Sequence, residues 1–513
     1  MLLFRRLPFT NQKAFFSLWS DRVSENQPHL TKIVATIGPA SESPAMLQNI
    51  VSAGMRVMRI NFSHATYEES DLRINTLRSM KGVHGGAFNL RAVLLDTQGP
   101  EIRTGCCDKD YFLEKGNKVT VTTDEAFANK CSPEKIYVTY KSIAKSLQPG
   151  GKVLLDDGLV SLIVKSISDS GDVQCVVENS GEMSNKKGVN LPGAKIDLPA
   201  MSLKDKADIE YGVKNDVDFI AASFVRKASD IRAIREFITP LTAKYHSPSH
   251  PVAKIIAKVE STEAIENFDE ILEESDGIMV ARGDLGVEIP IAQLTNAQKT
   301  MVEKCNLAGK PVIVATQMLE SMQKNPRPTR AEVADVTNAV HDGADAVMLS
   351  GESAKGKYPL ESVQMMNSII EEAERWISTH GRPLVIPVNP SNHLESVCNA
   401  AVQASNSMNA VCIIVLTRKG TSAETVAKYR PNCPIMAFTP SPKVGRQLML
   451  RRGVHPVVVD SLERDNKEII SMAIAKAKDH GFASTNSNVV LVCAEPGNES
   501  MHSVVSFRAI RVK

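Results

Sequence analysis

A chain of 513 residues is too long for one ordinary domain and implies two to four. Its formal charge of +2, from 60 basic and 58 acidic side chains, lacks the basic excess of a nucleic-acid footprint, and no apolar run reaches membrane-spanning length. Hydrophobic residues make up 43%, ample for large cores, and nine scattered cysteines without a CxxC pair fit buried thiols in a reducing compartment, not a disulfide or zinc framework.

Residues 1–30 carry Arg5, Arg6 and Lys13 and no acid before Asp21. This basic composition is that of an organelle transit peptide or of an N-terminal arm. We expect a cytoplasmic protein, with a mitochondrial address as the alternative. From residue 31 the chain alternates strand-like apolar runs with helix-patterned segments. The runs are 31–38, 56–63, 91–98, 218–225, 254–260, 277–283, 311–317 and 344–351. Eight such units predict a (β/α)8 TIM barrel, and their unbroken apolar character predicts strands buried on both faces.

The third unit is interrupted. Residues 100–200 are too long for a loop and read as an inserted small β-barrel lid domain, with strands in KVTVTTD, KIYVTY, KVLLDDGLVSLIVKSI and VQCVVE. The barrel then occupies 31–99 and 201–378. After a Pro-rich linker, 379–513 reads as a C-terminal open α/β domain with strands at 412–417, 434–439, 455–460 and 488–494.

Polar residues gather at the carboxyl ends of the barrel strands: Thr36, Asn61, Ser63, Asp96, Thr97, Ser223, Lys258, Glu260, Arg282, Asp284, Thr316 and Ser350. That end of such a barrel holds the active site. Glu260 and Asp284 end strands joined by the helix-like STEAIENFDEILEES, so the strands are parallel neighbours and the carboxylates emerge side by side, next to Lys258. Two hard oxygen ligands beside an ammonium suit magnesium and a phosphorylated or carboxylated anion. The plainer alternative is a helix-capping Asp and a surface Glu–Lys pair.

From residue 31 to the end, TKIVATIGPAS, MRINFSH, LDTQGPEIRTG, DDGLVSL, NKKGVNLPG, IIAKVES, GIMVARGDLGVEIP, GKPVIVATQMLESM, PRPTRAE and MLSGESAKG closely resemble the pyruvate kinase family. The resemblance implies phosphoryl transfer from phosphoenolpyruvate to ADP, giving pyruvate and ATP, by a homotetramer needing Mg2+ (or Mn2+) and K+. It implies Glu260 and Asp284 as Mg2+ ligands, and Lys258 as the cation that stabilises the enolate and the transferring phosphoryl group. Gly283 and Asp284 would offer backbone N–H groups to the substrate carboxylate, and Arg59 and Arg103 would hold phosphate oxygens. Thr316 would help deliver the proton to carbon; from the residues alone it reads as an inward-facing core hydroxyl. Asn61, Ser63, Asp96 and Thr97 match a K+ site, and Glu101 matches the potassium-dependent form. Asn61, Ser63, His64, Arg103 and Lys187 would meet the nucleotide. Asp156-Asp157-Gly158 stays open between a turn and lid acids.

Three departures stand out. Gln98 replaces the usual Lys beside the phosphate site, and Ser261-Thr262 replace the usual pair after Glu260. Thr417, Arg418, Lys419, Gly420, Thr421 and Ser422 match half of a fructose 1,6-bisphosphate effector site, or a plain helix cap. The other half, AEPGNESMHS (494–503), lacks the family's Trp-Arg pair, so weak or absent activation is expected. A magnesium-dependent barrel lyase and a silent paralogue are the other functional readings.

Overall fold

The computed structural model describes residues 29–80, 90–380, 386–389, 392–463, 466–495 and 504–513. The basic segment 1–28 and residues 496–503 of the expected effector run lie outside them.

Eight parallel strands close into a barrel: Lys32–Thr36, Met55–Asn61, Ala92–Asp96, Phe219–Ala222, Lys254–Val259, Gly277–Ala281, Val312–Ala315 and Ala346–Leu349. Seven sit within their predicted apolar runs, and the second begins one residue earlier, at Met55. Residues on a strand alternate between two cores. Ile255, Ala257 and Val259 pack outward against the helices, whereas Ile256 joins Val34, Val57, Leu94, Phe219 and Met279 at the barrel axis. The inward phase, continued to the strand ends, carries Thr36, Arg59, Asp96, Ser223, Lys258 and Glu260. Polar groups therefore meet at the mouth because they share the phase of the apolar residues below them.

The helix-like segment after Glu260 is two short helices, Thr262–Glu266 and Phe268–Glu274. They part at Asn267, whose amide donates to the Arg226 carbonyl at 2.9 Å.

The inserted unit is a six-stranded sheet with a two-stranded ribbon, curled around its own core of Val121, Ile136, Val153, Leu162 and Val177. Single bridges Thr104–Val138 and Arg103–Gly188 link the entry strand to both edges of that sheet. The predicted run KVLLDDGLVSLIVKSI is a hairpin, Lys152–Leu155 and Val160–Ile167. Its turn places Asp156, Asp157 and Gly158 at φ 51°, 53° and 82°.

The C-terminal sheet holds four parallel strands, Cys412–Leu416, Ile435–Thr439, Val454–Val458 and Asn488–Glu495, plus a fifth, Val504–Arg511, running antiparallel at the edge. The sequence reading did not include that fifth strand. This domain is bolted to the closed end of the barrel. The Lys32 ammonium, 1% exposed, donates to the Val454 carbonyl at 2.9 Å. Asp218 takes Arg446 at 2.8 Å, and Asp345 takes Arg430 at 3.0 Å. Glu424 pairs with Lys254 and Arg451. Leu450 enters the inner barrel core itself. No helix among the described residues is long and apolar enough to cross a membrane.

Candidate active site

Lys258 is the centre of the mouth. Its Nζ lies 2.9 Å from Glu260 and 3.1 Å from Asp96, and donates to the Ser223 hydroxyl at 2.7 Å. Burial works against the ammonium, but Asp96, then Glu260 and Asp284, outweigh it and hold its pKa above the ordinary lysine range. Lys258 is therefore a fixed cation.

Asp96, 1% exposed, serves two cations. Its Oδ2 accepts from Arg59 Nε at 2.6 Å while Oδ1 faces Lys258. Burial would raise its pKa; Arg59 and Lys258 more than reverse that, so the carboxyl titrates below its usual range. Arg59 also donates to the Thr36 hydroxyl at 2.8 Å, which locks its fork.

Glu260, 1% exposed, behaves oppositely. Burial, only partly offset by Lys258 and reinforced by Asp284, pushes its carboxyl up to about 7. One oxygen accepts from the Phe224 backbone N–H at 2.6 Å, and Phe224 takes φ 55° to present it. Burial also raises Asp284, with Asp157 and Glu101 adding repulsion. Asp284 is not a cap. It lies in the first turn of the helix Arg282–Glu288, behind the cap residue Ala281. A buried and a half-buried carboxylate that both resist ionisation are a donor set waiting for positive charge, and their hard oxygens fit Mg2+ or Mn2+.

Asn61 and Asp96 are register partners on adjacent strands, and Thr97 is buried beside them. The Asn61 side chain accepts from Ser63 N–H at 3.1 Å; Thr97 Oγ1 accepts from Ser223 N–H at 3.1 Å. One carboxylate with neutral oxygens fits a large monovalent cation, although both Asp96 oxygens already serve Arg59 and Lys258.

Thr316 and Gly283 meet directly. The Gly283 N–H donates to Thr316 Oγ1 at 2.7 Å, and that hydroxyl donates to the Ala315 carbonyl at 2.6 Å. Thr316 and Gln317 sit at φ 69° and 53°. A β-branched residue in the left-handed region is strained by about 1–3 kcal/mol, a cost typical of functional positions. The Gly283 donor expected to face a carboxylate is thus held by Thr316.

A cavity of 420 Å³ separates the mouth from the inserted unit, with Glu260 and Asp284 on its floor and Arg103, Asp157 and Lys187 on its roof. Lys187 pairs with Asp156 at 2.9 Å, so the Asp156-Asp157-Gly158 segment is a turn whose acids also face the cavity. Arg103 is held by Glu101 through Nε at 2.6 Å and by the Lys186 carbonyl at 2.9 Å. His64 is exposed and does not line this cavity. Ser261 caps the following helix by accepting from Ala264 N–H at 3.2 Å.

The run 417–422 lies on the C-terminal sheet, away from the mouth. Thr417 is buried and accepts from Gly420 N–H at 3.0 Å; Gly420 takes φ 90° and opens the helix Thr421–Lys428 without a side-chain cap. Arg418 and Lys419 are exposed, as is Thr421, with Ser422 half-buried.

The sequence reading gave Ser223 and Thr36 no task, and it missed Asn190 and Glu288, which line the cavity and bond at 3.1 Å. Glu288 follows Asp284 by four residues, one helical turn, which was the available signal. Among the described residues, Asp216, His246 and His250 also cluster at metal-ligand distances. Asp216 is already bound by Lys443 at 2.8 Å and by Arg446 at 2.5 Å.

Residues 29–363 match the family model "Pyruvate kinase, barrel domain", and 395–505 match "Pyruvate kinase, alpha/beta domain". A pyruvate kinase of Hypocrea jecorina is 47% identical over 440 residues, covering 85% of this chain and 80% of its own. One of Leishmania mexicana is 43% identical over 474 residues, covering 90% and 92%. The crystal structure of a pyruvate kinase from Cryptosporidium parvum superposes with a TM-score of 0.85 at 38% identity, covering 94% of this chain and 96% of that one.

Proposed function

The chain belongs to the pyruvate kinase family of phosphotransferases, and on that premise we propose that it moves the phosphoryl group of phosphoenolpyruvate to ADP, giving pyruvate and ATP at the last step of glycolysis. The observation that carries this reading is Lys258, held rigid by Asp96, Glu260 and Ser223, with Glu260 itself lining a cavity that Lys187 roofs.

Glu260 and Asp284 would hold Mg2+ (or Mn2+), and Asn61, Ser63, Asp96 and Thr97 would hold K+. When bound, these ions supply positive charge against the substrate's carboxylate and phosphate. Arg59, locked between Asp96 and Thr36, presents its remaining N–H groups to the phosphate. Lys258 faces the oxygen on which charge develops as the phosphoryl group leaves, as a cation already fixed in place. Arg103 and Lys187, from the roof, meet the phosphates of ADP together with His64, Asn61 and Ser63. For Gly283 to meet the substrate carboxylate, Thr316 must release it; the freed hydroxyl then lies where a proton is to be delivered to the enolate carbon, through water. We propose a cytoplasmic homotetramer, which sedimentation of the purified protein would test.

The test is pyruvate production from phosphoenolpyruvate, with and without ADP, Mg2+ and K+, by wild type and Lys258→Met. ADP-dependent turnover that the substitution abolishes is expected. Turnover without nucleotide would point to a lyase, and ligand binding without turnover to a silent paralogue.

A further inference from the structure

The helix Arg282–Glu288 spans barely two turns, yet it touches both halves of the cavity. Its first turn carries Gly283 and Asp284. Its last turn meets the inserted unit. Glu288 accepts from the Asn190 side-chain amide at 3.1 Å, the one side-chain-to-side-chain hydrogen bond from residues 100–200 to the barrel among the described residues. One residue back, Val287 lies so near the lid turn that a Cβ on Gly158 would come within 3.4 Å of it. The Glu288 carbonyl is itself anchored by the Thr262 hydroxyl at 3.2 Å. On the lid side, Asn190 ends the short strand that follows Lys187, and that strand pairs with the strand leading into the Asp156–Gly158 turn.

We infer that Glu288 is a positioning residue for phosphoryl transfer: by accepting from Asn190 it latches the lid to the helix that carries Asp284, and so sets the height of Lys187 above the floor. The inference rests on the proposed function. Its chemistry needs an acceptor at position 288, not a charge. Glutamine there keeps an oxygen within reach of the Asn190 amide; alanine does not. Asp284 and Lys187 lie on opposite sides of the cavity, so an unlatched lid should weaken productive engagement of ADP while leaving binding to the floor intact.

The experiment compares Glu288→Ala, Glu288→Gln, Asn190→Ala and the Glu288→Ala/Asn190→Ala pair in the full-length protein. Each alanine variant is expected to lower kcat/KM for ADP about tenfold, the scale of one ordinary hydrogen bond. Phosphoenolpyruvate affinity measured without nucleotide should stay within about twofold, Glu288→Gln should stay near wild type, and the pair should be no worse than either single change. Amide hydrogen exchange at 154–158 and 187–190 should quicken in the alanine variants alone. Additive losses, a glutamine variant as poor as alanine, or unchanged exchange would overturn the latch. If wild type shows no ADP-dependent turnover, the proposed function fails, and the exchange comparison still decides whether the latch exists.

Discussion

Asp96→Asn should disable the mouth without altering its shape. The wild-type carboxylate accepts from Arg59 at 2.6 Å, faces Lys258 at 3.1 Å and accepts from Ser223 at 3.2 Å. Asparagine is nearly isosteric but offers one oxygen and one amide nitrogen. Whichever way it turns, a donor faces one of the two cations, and both have lost the negative charge between them. Removing one partner from a buried ionic cluster costs about 3–5 kcal/mol. The misplacement of Arg59 or Lys258 is felt where charge develops, so kcat/KM for phosphoenolpyruvate should fall about 10²- to 10⁴-fold at one decade per 1.36 kcal/mol. The assay is initial-rate pyruvate formation at saturating ADP and Mg2+, repeated across a K+ titration. Activity within about threefold of wild type would refute the clamp. So would a loss that high K+ fully restores, because Asp96 would then act through potassium alone and not also as the brace for two cations.

Three further outcomes are expected. Lys254 and Arg451 overcome the burial of Glu424 and hold its pKa at about 2, against an unperturbed value near 4.5. Its folded pKa is depressed, so its contribution, about 3 kcal/mol, is fully present above pH ~4.5 and is lost as pH falls toward 2; Glu424→Gln should destabilise at pH 7 and converge with wild type at about pH 2 in urea unfolding. Gln98→Lys should tighten phosphoenolpyruvate binding a few-fold, the scale of one added charge at a partly exposed site; an unchanged KM would show that Gln98 costs nothing there. Titrating fructose 1,6-bisphosphate at low phosphoenolpyruvate should leave the rate nearly unchanged, and a large fall in the apparent substrate constant would contradict the reading of 417–422 as half a site.

The barrel was legible because its strands obey one local rule. Each is a short apolar run ending in a polar residue, and the inward phase that places Ile256 at the axis also aims Lys258 and Glu260 at the mouth. What escaped was pairing between distant segments. Nothing near Asp96 in sequence reveals that it answers both Arg59 and Lys258, and nothing near Gly283 reveals that Thr316 occupies its N–H. Asn190 and Glu288 lie 98 residues apart, in two folding units, and look like ordinary surface residues until the units meet. The edge strand Val504–Arg511 was missed because its apolar residues are interleaved with Arg508 and Arg511, a pattern that reads as a solvated tail until it is paired.

Leu450 enters the axis of the barrel from the turn after the C-terminal domain's helix Pro442–Leu448, with Met449 packed beside it. The floor of the barrel is thus supplied by a segment made about 100 residues after the last barrel strand. A nascent chain stalled before residue 450 would hold all eight strands and still present an uncorked apolar shaft to the solvent. Until the segment around residue 450 has been made, this chain should therefore be a chaperone client, however well its earlier strands pair.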